Sequence, residues 1–367
     1  MSGMGGMAAV LKHVRFVIRQ PLLVIRIGKG FFRALILRKP VLRSVELAVT
    51  YQCQCACDMC YAEKLADAGR KILTVDQIRT LWEQCHRLGA IHVNITGGEP
   101  LLRKDLCDVI RALKPDSTMV SLVTNGVLLT PERIDQLTAA GLRYLQISID
   151  SLNPQEHDRM RGVPGCFRKA IDGAAYAKSI GLPVCLSTVI SHDALKTPEK
   201  IWEMIRFAEK MDTFLLLNLA ATAGGWTDRK DELLTQEDMA LVAEFRKHPA
   251  VRQDVMYNFR GKSGCPAGTE KLYVTAYGDV TPCDMVHISF GNVLDQPLKT
   301  IWERMRACPP FRKQSPQCLR CIDREFVSQY VDPIADVQQI PVPAEAHPCL
   351  RPGAGKSARA DATAGGS

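Results

Sequence analysis

Apolar and polar positions along residues 45–220 follow a pattern that predicts strands and helices in turn. Six short apolar runs predict buried strands, at residues 45–50, 91–96, 119–124, 144–149, 183–190 and 213–220. Between them, apolar residues three and four apart predict helices, at residues 75–89, 105–114, 131–141, 167–181 and 197–211. Such alternation requires parallel strands joined by right-handed crossovers. We therefore predict an α/β fold, either a partial (βα)6 TIM-like barrel, with fewer units than the eight of a complete barrel, or an open βα sheet.

The pattern changes on both sides of this core, which predicts four parts. The expected boundaries are a basic amphipathic N-terminal arm at 1–44, the (βα)6 core at 45–250, a small cysteine-rich module at 255–330 and a tail at 333–367. The tail is rich in Pro and then in Gly, Ala and Ser. We expect it to be disordered, because it has few apolar residues to bury.

Charge is concentrated in the N-terminal arm. Residues 1–45 hold nine Lys and Arg and no acid, while the rest of the chain is close to neutral. No run in residues 10–43 reaches the ~18 apolar residues of a spanning helix. Two interpretations fit this segment: peripheral contact with an anionic membrane, in a helix broken near Pro21 and Gly28–Gly30, or packing on the protein with solvated bases.

Fourteen cysteines in 367 residues are too sparse for a small secreted disulfide scaffold. No secretory leader pattern is evident, so we expect a cytoplasmic protein, with membrane association as the further option. Clustered cysteines in a reducing compartment favour metal binding. We find no nucleic-acid-binding motif and expect no nucleic-acid partner.

Four cysteines occupy the loop after the first strand. Cys53, Cys57 and Cys60 have C-x3-C-x2-C spacing, and Cys55 is either a bystander thiol or an alternative ligand. Three thiolates can hold three irons of a [4Fe–4S] cube and leave the fourth iron open. A structural zinc site would need a fourth ligand.

Further motifs follow the next strands, and the carboxyl ends of parallel strands lie together at one edge of the sheet. These are the "TGGEP" turn, "TNG" and "SID", whose candidate residues are Gly97, Gly98, Glu99, Pro100, Asn125, Ser148 and Asp150. Gly224 and Gly225, after the sixth strand, suit either close approach of a ligand or a plain turn.

Taken together, these motifs resemble the radical S-adenosylmethionine (SAM) superfamily, over about residues 45–325 and in the branch with the molybdenum-cofactor cyclase and the pyrroloquinoline-quinone and peptide maturases. The resemblance implies that Cys53, Cys57 and Cys60 ligate a [4Fe–4S] cluster whose open iron binds SAM. It also implies SAM contacts at Gly97–Pro100, Asn125, Ser148, Asp150, Arg161 and Val189. Arg161 would pair with the SAM carboxylate. A donor such as flavodoxin or ferredoxin would supply the electron that yields a 5′-deoxyadenosyl radical.

A second cysteine set lies in the C-terminal module. Cys265, Cys283, Cys318 and Cys321 stand in an arrangement that resembles the twitch form of the SPASM domain, which holds one auxiliary [4Fe–4S] cluster. Four thiolates leave no open iron, so the resemblance implies electron transfer. A zinc knuckle is the alternative, since paired cysteines also suit zinc.

We therefore predict a radical SAM oxidoreductase that oxidises or rearranges a small molecule or a lipid, the substrate class favoured by the basic arm. The alternative is a maturase of a ribosomally made peptide. A non-catalytic iron–sulfur or zinc protein is a remote third, because it does not account for the motifs at the strand ends. No residue stands out as a general acid or base.

Overall fold

The computed structural model describes residues 20–253 and 264–350. Its helices are α1 Pro21–Phe31, α2 Val75–Leu88, α3 Leu106–Ala112, α4 Pro131–Ala140, α5 Pro154–Arg161, α6 Cys166–Ser179, α7 His192–Leu195, α8 Pro198–Lys210, α9 Gln236–Phe245, α10 Leu298–Ala307 and α11 Arg324–Tyr330. Its strands are β1 Ser44–Thr50, β2 His92–Gly97, β3 Met119–Thr124, β4 Tyr144–Ser148, β5 Val184–Ile190, β6 Phe214–Leu219, β7 Val251–Gln253, β8 Lys271–Val274, β9 Val280–Thr281, β10 Ile288–Ser289 and β11 Val342–Pro343.

Strands β1 to β6 pair in chain order, each parallel to the next. The predicted (βα)6 architecture is thus confirmed, and each predicted strand end lies within two residues of the observed one. The helices between the strands cover the sheet with apolar faces. In α2, for example, Ile78, Leu81 and Trp82 are buried. Burial of one such side chain stabilises the fold by roughly 1.5–3 kcal/mol.

Two short strands extend the sheet beyond the predicted six. β7 lies parallel to β6 at one edge, and β8 lies parallel to β1 at the other, with β9 antiparallel to β8. The pattern of the sequence did not predict them, because β8 has only four residues. Since β8 belongs to the cysteine-rich module, that module shares one sheet with the core.

Residues 21–36 of the N-terminal arm form a helical segment without the predicted break near Gly28–Gly30, and the part of the arm before residue 20 lies outside the described residues. α1 begins at Pro21, runs through Gly28 and Gly30, and continues as a π-helical turn over Phe32–Ile36. Proline suits the first turn of a helix because N–H groups there have no intrahelical acceptor, so the absence of an N–H on proline removes no hydrogen bond. No helix in the described residues is long and apolar enough to cross a membrane.

Residues 333–350 pack against the rest of the fold, whereas their composition predicted disorder. β11 pairs with β10 in parallel, Val342 is buried, and His347 is fully buried with its ring hydrogen-bonded to the carbonyl oxygen of Tyr330. Composition misses this contact because it is made with a distant part of the chain. Residues 351–367, the remainder of the predicted tail, lie outside the described residues.

Candidate functional site

A cavity of about 290 Å³ opens at the carboxyl ends of the strands. All seven cysteines predicted as cluster ligands line it, namely Cys53, Cys57, Cys60, Cys265, Cys283, Cys318 and Cys321. The two sets come from separate parts of the chain, and parallel pairing of β1 with β8 brings them together. The structure therefore brings the two predicted cluster sites to one cavity.

The cysteine loop is held by backbone contacts from two sides. The Ala56 amide donates to the carbonyl oxygen of Arg161 at 3.0 Å, and the Gly225 amide donates to that of Cys60 at 3.0 Å. A Cβ on Gly224 would stand 1.9 Å from the Cys60 carbonyl oxygen. The glycines after β6 are thus required by close approach of the cysteine loop.

The "TGGEP" turn packs against the other side of this loop. The Gly98 amide donates to Thr50 at 2.8 Å and the Glu99 amide to Gln52 at 2.8 Å. A Cβ on Gly97 would lie 2.0 Å from the Thr50 carbonyl oxygen, and one on Gly98 would lie 2.4 Å from that of Gln52. Both glycines line the cavity, as predicted.

Glu99 and Pro100 lie behind the residues that line the cavity, and their contact with the SAM amino group stays a prediction. The Glu99 carboxylate is fully buried. It accepts hydrogen bonds from the Leu101 amide at 3.0 Å, the Thr124 hydroxyl at 2.8 Å and the Asn125 amide at 2.8 Å. Burial raises the pKa of Glu99 to about 7. Glu99 therefore positions Asn125 from behind the cavity wall.

Arg161 lines the cavity, but a protein carboxylate already faces it. Its guanidinium lies 2.6 Å from the carboxylate of Asp150, whose side chain is almost entirely buried behind the wall. Burial alone would lower the pKa of Arg161, but the Asp150 charge raises it above its ordinary value. The guanidinium also donates to the Cys57 sulfur at 3.7 Å. Asp150 thus holds Arg161 and is not itself part of the cavity surface.

Three further predicted SAM contacts, Asn125, Ser148 and Val189, lie on the cavity wall. Asn125 is close to the cysteine loop, since its amide nitrogen donates to the Cys53 sulfur at 3.8 Å. The side-chain carboxamide nitrogen of Gln54 donates to the Asn125 side-chain oxygen at 3.1 Å. These contacts fix the Asn125 side chain against the loop.

The thiols of the loop differ in acidity. A hydrogen bond from Cys55 lowers the pKa of Cys53 to about 6, and Cys55 lowers the pKa of Cys57 in the same way. Burial raises the pKa of Cys60 to about 11. Cys55 also lines the cavity, and its backbone amide donates to the Cys53 sulfur at 3.4 Å.

The second cysteine set is tied to the end of β6 through Arg320, a residue that sequence reasoning missed. This guanidinium is buried, donates to the Thr222 hydroxyl at 3.0 Å and to the Met285 carbonyl oxygen at 3.1 Å, and also contacts the Thr222 carbonyl oxygen. The Cys321 thiol donates to the carbonyl oxygen of Leu219 at 3.4 Å. These bonds hold the module against the barrel.

Both cysteine sets supply the thiol donors that iron–sulfur clusters require. Among the described residues, no group of three or more His, Cys, Asp or Glu side chains is placed to hold a single metal ion. The three predicted ligand thiols of the cysteine loop and the four thiols of the C-terminal module line one cavity. Three thiolates can hold three irons of a [4Fe–4S] cube, and four thiolates can hold all four. The donor chemistry of each set is therefore that of a [4Fe–4S] site.

The floor of the cavity is polar. Carboxamide, carboxylate and ammonium groups carried by the strands line it, namely those of Glu46, Asn94, Gln146, Asn218 and Lys271. The Lys271 ammonium lies 3.1 Å from the Glu46 carboxylate, which also accepts from Asn94 at 3.2 Å. The sequence analysis did not single out these side chains. The signal that could have found them is a polar residue within an otherwise apolar strand, such as Glu46 in "VELAV".

Comparison with known proteins accounts for the combination of two cysteine sets at one cavity. Residues 47–208 match the radical SAM superfamily, and residues 265–322 match the SPASM iron–sulfur cluster-binding domain. The chain carries a radical SAM domain and a SPASM domain. The protein is an enzyme, and these domains imply a [4Fe–4S] cluster, an auxiliary iron–sulfur centre and SAM as its cofactors. This confirms the predicted cofactor classes, and both matches lie within the predicted core and cysteine-rich module.

The chain is similar in sequence to two kinds of curated relatives. It is 26% identical to the AdoMet-dependent heme synthase of Methanosarcina barkeri over 74% of this chain and 84% of the relative. It is 27% identical to the PqqA peptide cyclase of Rhizobium meliloti over 76% of this chain and 79% of the relative. The predicted kinship with the pyrroloquinoline-quinone maturases is thus supported, and kinship with the molybdenum-cofactor cyclase stays a prediction.

A solved structure shares the fold. SuiB of Streptococcus suis, bound to its precursor peptide SuiA, aligns with a TM-score of 0.61 and 17% identity over 77% of this chain and 69% of that chain.

Proposed function

We propose that this enzyme is a peptide maturase, which takes a hydrogen atom from a residue of a ribosomally made peptide. The observation that carries the proposal is the single cavity lined by both cysteine sets. A substrate bound there would lie between the SAM-binding cluster and the auxiliary cluster.

In this proposal, Cys53, Cys57 and Cys60 ligate the cluster that binds SAM, and Cys265, Cys283, Cys318 and Cys321 ligate one auxiliary cluster. Gly97, Gly98, Asn125, Ser148, Arg161 and Val189 form the wall that receives SAM. Glu99, Pro100 and Asp150 support that wall from behind.

When bound, the cluster held by Cys53, Cys57 and Cys60 would supply the electron that cleaves SAM, and the auxiliary cluster would accept the electron that the peptide radical gives up. The peptide loses one hydrogen atom to the 5′-deoxyadenosyl radical and one proton to solvent. A flavodoxin or ferredoxin would provide the first electron.

The cavity floor supports a peptide as the substrate class. Each of the carboxamides of Asn94, Gln146 and Asn218 offers both a donor and an acceptor, as a peptide group does. The Glu46–Lys271 ion pair adds a buried charged group to this polar floor. The relatives that act on peptides favour this alternative over the small molecule or lipid of our first prediction.

A second candidate function is oxidation or rearrangement of a small molecule or a lipid. It is favoured by the similarity to AdoMet-dependent heme synthase, since the 26% identity to that relative is close to the 27% identity to the peptide cyclase. The two functions require the same clusters and differ in what occupies the polar floor.

The test uses anaerobically reconstituted enzyme with SAM, dithionite and short peptides encoded beside its gene. We expect 5′-deoxyadenosine together with a peptide that is lighter by two hydrogens. A peptide deuterated at the reacting carbon should transfer deuterium to 5′-deoxyadenosine. If no peptide changes mass while a small molecule or lipid does, the second candidate replaces the first.

Three variants separate the roles of the cysteines. Cys57→Ala should abolish 5′-deoxyadenosine formation. The double change Cys318→Ala and Cys321→Ala should lower iron by about half and abolish the peptide product, while reductive SAM cleavage persists. Cys349→Ala, at an exposed cysteine, is the matched control and should retain both. Unchanged iron in the double variant would contradict the auxiliary site.

A further inference from the structure

The helical segment Pro21–Ile36 presents an apolar face to solvent. Among the described residues, twelve large apolar side chains are exposed, and seven of them lie between residues 22 and 37. The exposed fractions are 54% for Leu22, 53% for Ile25, 54% for Phe32 and 68% for Ile36. Isolated exposed apolar residues are common on protein surfaces, but a contiguous cluster marks an interaction surface.

The arginines of the segment point the other way. The Arg26 guanidinium donates to the carbonyl oxygens of His86 at 2.8 Å and Ala90 at 3.0 Å, and Arg33 donates to that of Arg87 at 3.3 Å. These carbonyls lie at the C-terminal end of α2, where cations are favoured by the helix dipole. Two inward arginines thus fix the outward direction of the apolar residues.

Further bases lie on the exposed side. Leu22, Ile25, Phe32 and Ile36 follow helical spacing, and exposed Lys29 stands within the same stripe. Exposed Arg38 and Lys39 follow directly. Lysine side chains can extend from an apolar face to reach lipid headgroups. An apolar stripe with bases and no acid fits an anionic lipid surface, and each base near such a surface adds attraction.

We propose that the exposed face of Leu22–Lys39 docks on the surface of an anionic membrane. The segment leads into the amino end of β1, whereas the cysteine loop leaves its carboxyl end. Seven residues of strand separate them, which is about 20 Å at 3.3 Å per residue. The docking surface is therefore separate from the cavity. The contact places the enzyme on the membrane, whichever substrate class it takes.

The test is flotation of the reconstituted full-length enzyme with phosphatidylcholine vesicles, with and without phosphatidylglycerol. We expect the enzyme to float with the anionic vesicles and this binding to weaken as salt is raised. The triple variant Ile25→Gln, Phe32→Gln and Ile36→Gln should bind about tenfold less or weaker still. Glutamine is chosen because it preserves helix propensity.

The matched control carries glutamine at three exposed apolar positions elsewhere, Ile72, Ile180 and Leu294, and should float as the wild type does. A second variant, Lys29→Gln with Arg38→Gln and Lys39→Gln, leaves the apolar stripe intact and should lose its preference for anionic vesicles. Iron content and the unfolding midpoint should match the wild type in every variant.

Three results would overturn the proposal. The first is wild-type enzyme that floats with neither kind of vesicle. The second is a triple variant that floats as well as the wild type. The third is a dimer of the wild type, seen by light scattering, that the triple substitution dissociates, which would assign the face to a second copy of the chain.

Discussion

Replacing Gly224 by alanine tests whether the turn after β6 holds the cysteine loop in place. Gly224 has a φ of +57°, and its Cα faces the backbone of the loop. An alanine Cβ would stand 1.9 Å from the Cys60 carbonyl oxygen, whereas real Cβ contacts are essentially never closer than 3.0 Å. The carbonyl of Cys60 would therefore have to retreat by more than 1 Å.

Two costs add in this variant. A left-handed backbone costs an L-residue about 1–2 kcal/mol. Relief of the overlap costs about 1–3 kcal/mol more, as in other overpacked sites. Relief of the overlap also displaces Cys60, which we assign to the SAM-binding cluster. The substitution should therefore lower the cluster occupancy as well as the free energy of unfolding.

A matched variant separates the two costs. Gly181 has a φ of +79°, and a Cβ there would meet nothing within 4 Å. Gly181→Ala therefore carries the cost of the backbone conformation without the overlap. The difference between the two variants isolates the contact with the cysteine loop.

The assay measures iron and sulfide per chain after reconstitution, together with the midpoint of urea unfolding. We expect Gly224→Ala to bind less iron than Gly181→Ala and to unfold at lower urea. If the two variants have equal iron content and equal midpoints, the turn does not position the loop and the reasoning fails.

Further predictions concern buried polar groups. Glu99→Gln replaces an acceptor by a donor beside the Asn125 amide and should lower unfolding free energy by about 1–3 kcal/mol; an unchanged urea midpoint would contradict this. Arg320→Lys keeps the charge but loses the planar fork, so it should destabilise the enzyme by a similar amount in the same assay, which an unaltered midpoint would refute. Burial lowers the pKa of His92 from 6.5 to about 4, so the unfolded chain takes up the proton first. Stability should fall by up to about 3 kcal/mol as pH drops from 6.5 to 4, and His92→Gln should remove that part of the fall in urea titrations. Identical pH profiles for the two proteins would exclude this role of His92.

Much of the fold and the candidate site followed from the sequence. Local hydrophobic periodicity is enough to mark strands and helices, because it records which side of each element is buried. Parallel strands then require every strand-end motif to meet at one edge, so Cys53, Gly97 and Asn125 were predicted to be neighbours. The spacing of the loop cysteines indicated cluster chemistry, since short spacing alone brings thiols to one centre.

Other features depended on long-range contacts that no local pattern records. Long-range contacts such as the pairing of β1 with β8 bring Cys265 to the cavity of Cys53. Only packing shows that Glu99 is enclosed by backbone donors and that Asp150 faces Arg161. Motifs specify residue types, whereas burial and direction arise from contacts across the fold.

The N-terminal segment shows the same division. Its composition determined that bases and apolar residues alternate without acids. The tertiary structure decided which of them face solvent, because Arg26 and Arg33 bind the carbonyl end of a neighbouring helix and turn the apolar side chains outward. The physical reason is that a helix has one inner face, and its contacts with the rest of the fold select which residues lie on it.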